Sequence, residues 1–134
     1  MKRKLAAAGT VVASLALTAA MASPAAAITA YRHCFTTGAD GGARVMNWHG
    51  PDRVDLTLSV TDSRADGHHA RVRFLSKTVS GTTVKWGWHK NTSGAGRTFV
   101  RETSASHPNG IFKVGVEIAR FEGDTYLNSC VDWG

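Results

Sequence analysis

Residues 53–60, Arg-Val-Asp-Leu-Thr-Leu-Ser-Val, alternate without a break between polar and apolar side chains. A helix, at 3.6 residues per turn, would scatter Val54, Leu56, Leu58 and Val60 around its axis. A strand puts them on one face and puts Asp55, Thr57 and Ser59 on the other. The segment therefore reads as a half-buried strand with one wet face. The same period returns along the chain. Ala70, Val72 and Phe74 alternate with Arg71 and Arg73; Val84, Trp86 and Trp88 alternate with Lys85, Gly87 and His89; Phe112, Val114, Val116 and Ile118 alternate with Lys113, Gly115 and Glu117. Shorter runs at 43–48, 98–103 and 125–131 read as three more strands. Arg120-Phe121 reverses the alternation, which predicts a bulge or a strand end there.

Turn residues separate these runs. They include Gly50-Pro51-Asp52, the polar stretch 62–67, Ser80-Gly81, the small polar loop 91–96, His107-Pro108-Asn109-Gly110 and Glu122-Gly123-Asp124. Seven short strands without helical periodicity predict an all-β, single-domain antiparallel β-sandwich of immunoglobulin size. Whether the strand order is a meander or a Greek key stays open. The expected core is Val54, Leu56, Leu58, Val60, Val72, Phe74, Val84, Trp86, Phe112, Val114, Val116 and Ile118, with Cys130 beside it.

The first 27 residues do not fit this pattern. Lys2, Arg3 and Lys4 precede an Ala/Leu/Val-rich run from Leu5 to Ala22, then Pro24 and Ala25-Ala26-Ala27. This is the plan of a cleaved secretory signal peptide, with Ala20-Met21-Ala22 as an alternative cut. It predicts an extracellular protein whose domain is 28–134 and which meets no membrane after cleavage. In that compartment the only two cysteines, Cys34 and Cys130, are expected to form one disulfide joining the two ends of the domain. Three of the 16 basic residues lie in the leader, so the domain is less basic than the whole chain's net charge of +6. With Asp62 and Asp66 close in sequence to Arg71 and Arg73, the sequence reads as a mixed-charge surface and not as a nucleic-acid footprint.

No catalytic frame is visible: there is no G-x-S-x-G elbow, no H-E-x-x-H, and no marked pair of carboxylates. We therefore expect neither catalysis nor a cofactor. Asp66-Gly67-His68-His69 gathers ligand types, but neighbouring histidines at a strand start point to opposite faces, and the spacing matches no structural zinc pattern. The aromatic residues are more suggestive. Trp86 and Trp88 stand two apart and so share a face of their strand. Buried, they continue the stripe begun by Val84. Exposed, they form a flat platform, flanked by His89 and Lys90, that stacks on sugars or anchors an interface. Trp48 and Trp133 are expected to pack near the disulfide. The candidate binding residues are thus Trp86, Trp88, His89 and Lys90, with the loop 91–96.

The Lys/Arg leader with its Pro-Ala-Ala-Ala end, joined to a compact domain closed by Cys34 and Cys130, resembles small exported β-sheet proteins of high-GC actinobacteria (Streptomyces-like). Some proteins of that style inhibit extracellular proteases or amylases, and others act as adaptors in secreted assemblies. The inhibitors usually carry two disulfides, and this chain has one Cys pair and no Trp-Arg-Tyr triplet, so no site residue is carried over. Proteins of that style often carry no assigned activity; the chain as a whole reads as a secreted binding module that engages another extracellular protein, such as an exoenzyme or the rest of a secreted assembly. The alternatives are a module that binds a cell-wall glycan on a tryptophan platform and, further off, a small secreted hydrolase. The oligomeric state stays open.

Overall fold

The alternating runs form two antiparallel sheets packed face to face in a computed structural model that describes residues 29–134. The leader, residues 1–27, lies outside the described residues. The strands are β1 (Ala30–Thr36), β2 (Ala39–Trp48), β3 (Arg53–Asp62), β4 (His69–Lys77), β5 (Thr83–Lys85), β6 (His89–Lys90), β7 (Thr98–Ser106), β8 (Lys113–Glu122) and β9 (Thr125–Asp132). One sheet runs β1-β2-β3-β7 and the other β5-β4-β8-β9, with β6 also paired to β4. The chain crosses between sheets after β3, β6 and β7, so the order is no simple meander.

Among the described residues the strands number nine and not seven, for two local reasons. β1 escapes the sequence reading because its polarity is inverted: Tyr31, His33 and Phe35 point outward, while Arg32 and Cys34 turn in. Its inner arginine is tolerated because Arg32 Nε donates to the carbonyl of Val114 at 3.1 Å. The run 84–88, expected as one strand, is split into β5 and β6 by an irregularity around Gly87. Near Arg120-Phe121 the strand continues, and the register between β8 and β9 shifts by one residue, leaving Leu127 unpaired. β8 keeps its register with β4 throughout, so Phe121, opposite His69, faces outward.

Val45, Val54, Leu58, Val60, Val72, Val116 and Ile118 are fully buried between the sheets. Two expectations about the core are corrected. Phe112 is 74% exposed. β8 begins only at Lys113, and the turn before it swings Ile111 inward, with the Ile111 N–H on the carbonyl of Pro51 at 2.8 Å. Val84 is only half-buried, because it lies on a short strand at the sheet's edge, while Trp86, just past that strand, is half-buried and packs against the core.

The two edges of the sandwich differ. At one, the Cys34–Cys130 disulfide joins β1 to β9 with 6.1 Å between Cα atoms. Side chains of β9 occupy hydrogen-bonding groups of β1 there. Asp132 accepts the His33 N–H at 2.9 Å, and Asn128 Nδ2 donates to Thr36 Oγ1 at 2.8 Å and to the Thr37 carbonyl at 3.0 Å. The His33 and Gly134 backbone N–H groups hold the Asp132 carboxyl below the usual carboxylate range. At the other edge, among the described residues, β7 pairs only with β3, and β5 and β6 pair only with β4. Among the described residues no helix is long and apolar enough to cross a membrane.

Candidate functional site

The run Trp86-Gly87-Trp88-His89-Lys90 borders the open edge, and a bulge decides which way each side chain points. Lys85 lies opposite Leu75, and the Trp86 N–H donates to the carbonyl of Phe74 at 3.1 Å. Three residues later His89 lies opposite Val72 and Lys90 opposite Arg71. The run therefore contains one more residue than β4 does between these points, and a one-residue slip reverses the facing of everything after it. Trp86 points inward: its ring lies 6.0 Å from that of Phe74, and its Nε1–H donates to the buried Ser76 hydroxyl at 2.9 Å. His89 also points inward. Trp88 and Lys90 point to the outer face. The expected shared face of Trp86 and Trp88 does not form, because strict alternation stops at Gly87.

Trp86 and His89 line a cavity of about 80 Å³ between the sheets at the open edge, with Leu56, Leu58, Phe74 and Ala105. Burial, aided by the charge of Arg101 across the gap, lowers the pKa of His89 below the usual imidazole value. The ring is therefore a neutral, amphipathic wall at neutral pH. β7 forms the other lip of this cavity. Phe99 packs against the core, and Val100 is exposed on the outside.

Trp88 belongs to a second layer on the outer face of β4, β8 and β9. The Arg73 guanidinium sits 4.2 Å from the centre of the Trp88 ring and pairs with Glu117. Trp88 meets Phe121 edge-on at 5.3 Å. Phe121 is 5% exposed although it faces outward, because Arg71 lies 4.2 Å over its ring and Tyr126 meets it edge-on at 5.7 Å. Further along, Trp133 lies on Gly115, with the Lys77 and Lys113 ammonium groups 5.0 and 6.0 Å from its ring. A methyl group at Gly115 would sit 2.6 Å from Trp133, so the ring's seat needs the glycine. Trp133 is thus part of this layer. Trp48 closes β2 far along the strand from Gly41, the residue paired with Cys34, and is exposed. Neither tryptophan has its expected place at the disulfide.

The loop after β6 is anchored and not a loose hairpin end. Asn91 is buried, and its Nδ2 donates to the carbonyls of Val60 at 3.0 Å and Arg97 at 2.8 Å. Its Oδ1 accepts the Ser93 N–H at 2.8 Å. This side chain, together with the Gly96 N–H on the Asp62 carbonyl at 2.7 Å, pins the crossing from one sheet to the other. Asn91→Ala leaves the buried Val60 carbonyl short of this donor, and we expect a loss of about 2 kcal/mol, read from the urea midpoint. An unchanged midpoint would show that the loop is not held this way. Of the neighbouring histidines, His69 faces outward opposite Phe121 and accepts the Arg71 Nε–H at 2.9 Å. Among the described residues no group of three His, Cys, Asp or Glu side chains could hold a metal ion.

Comparison with protein-family models, with curated proteins and with solved structures finds no match to this chain.

Proposed function

We propose that this protein is a secreted binding module that engages another extracellular protein by accepting one of its strands along β7. The observation that carries the reading is the open edge: nine residues of β7 paired on one side only, directly beside the cavity lined by Trp86. An unpaired edge presents alternate N–H and C=O groups to any extended segment, and the backbone bonds so formed supply affinity. Side chains of the added strand that face inward would reach the mouth of the cavity, where Trp86 and His89 select for apolar or small aromatic groups. The disulfide fits an oxidising compartment outside the cell. On this reading the protein is an inhibitor or an adaptor and not an enzyme, and two of the four candidate residues, Trp86 and His89, form the pocket.

The test is hydrogen exchange on the complex. The oxidised protein captures its partner from the culture fluid of the producing organism, and amide exchange is compared with and without that partner. Slowed exchange at alternate β7 amides is the expected result, since those amides gain carbonyl partners. Failure to recover a protein partner, or protection elsewhere with β7 unchanged, overturns the reading.

A further inference from the structure

We propose that a cleft at the end of β4 binds an acidic sugar unit of an extracellular polysaccharide, and that the polymer continues across the outer face past Trp88. The inference is independent of strand addition at β7, because no residue of β7 lines this cleft. The cleft has a volume of about 460 Å³ and lies between the 63–68 segment and the loop 91–95. That is ample for a small organic ligand and far more than a bare ion needs. Small residues such as Gly67 and Gly94 leave it wide.

The polar groups in its walls favour an anion. Arg64 and Lys90 line it, and neither is in an ion pair among the described residues. The one carboxylate in the lining, Asp62, is buried and accepts the Arg64 backbone N–H at 3.1 Å. His69 supplies a donor of fixed position. Because Arg71 can only donate, His69 Nε2 must accept, which leaves the ring proton of neutral His69 on Nδ1. Burial and then the charges of Lys90 and Arg71 lower the pKa of His69 and keep it neutral.

From the cleft a track of rings and cations leads away. His69 stacks on Phe121 at 6.0 Å, Phe121 meets Trp88, and Trp88 lies under Arg73. The outward positions of this sheet gather Arg71, Arg73, Lys77, Lys85, Lys90 and Lys113 against the acids Glu117 and Asp124. The half-buried rings of His69 and Trp88 offer the aromatic surface, Phe121 being covered between them, and the excess of cations suits acid groups, so the complementary ligand is an acidic glycan and not a neutral one.

The oxidised protein is titrated by calorimetry with polygalacturonate, a uronate polymer, with phosphomannan, a phosphodiester polymer, and with neutral mannan. Binding to one acidic polymer identifies the acid group, and binding to both identifies the shared anion chemistry. Arg64→Glu with Lys90→Glu should weaken binding at least about tenfold, and Lys90→Gln, which only removes a charge, should weaken it less. Unchanged urea midpoints in these variants would show that the fold is intact. No binding to either acidic polymer, equal binding to neutral mannan, or unchanged affinity in both variants overturns the proposal.

Discussion

Replacing Cys34 and Cys130 together by serine is expected to lower the unfolding free energy by about 4–5 kcal/mol. The bridge spans a sequence separation of 96 residues, so it removes a large share of the unfolded chain's freedom. It also acts where the fold has little else. β1 turns Arg32 inward and carries Tyr31, His33 and Phe35 outward, so it buries less apolar area than β3 or β8. Apart from its pairing with β2, its hold on the other sheet comes from the bridge and from polar contacts by Arg32, Asp132 and Asn128. Such contacts contribute about 1 kcal/mol each. Urea unfolding of the oxidised, the reduced and the serine protein should give one high midpoint and two similar low ones. In the bridge-free forms, exchange at β1 amides should rise first. A shift of under about 1 kcal/mol would mean that the edge closes without the bridge.

The second large effect separates two residues that alternation alone treats alike. Leu58 and Phe112 are both expected in the core from their period, yet Leu58 is fully buried at the centre of β3 and Phe112 lies out on a turn. Leu58→Ala should cost about 3–4 kcal/mol, made up of lost transfer energy and an unfilled space. Ala43, its neighbour on β2, is too short to fill that space, and the adjoining cavity of about 80 Å³ would enlarge. Phe112→Ala should change the midpoint by less than about 0.5 kcal/mol. Thermal or urea unfolding of the two variants decides the matter. Equal losses would restore Phe112 to the core.

Much of the fold follows from local pattern. The alternation in 53–60 and 113–118 fixes strands and their inner faces, because a period of two has one extended solution. The turn residues fix where strands stop, and Pro and Gly act there through backbone geometry alone. The Cys34–Cys130 pairing follows from there being two cysteines. β1 lay beyond this reading, since an inward arginine and outward aromatics invert the rule that alternation relies on, and Arg32 is held by the carbonyl of Val114 on β8, distant in sequence, as well as by that of Tyr31 beside it.

The candidate site was legible in composition and not in arrangement. The residues Trp86, Trp88, His89 and Lys90 stand out in the sequence, but one extra residue at Gly87 sends two of them into the interior and two to the outer face. That slip is set by pairing with β4, a contact far along the chain, and no local propensity encodes it. The charge pattern behaves likewise. Arg71, Lys85, Lys90 and Lys113 are spread among acids along the chain and read as a mixed surface. Strand pairing collects them on one face while Asp40, Asp55 and Glu102 lie in the opposite sheet. The sequence by itself determined the class of fold, the cross-link and the kinds of side chain available. Tertiary structure alone decided which edge is sealed, which is open and which charges stand together, because these depend on register between strands distant in sequence.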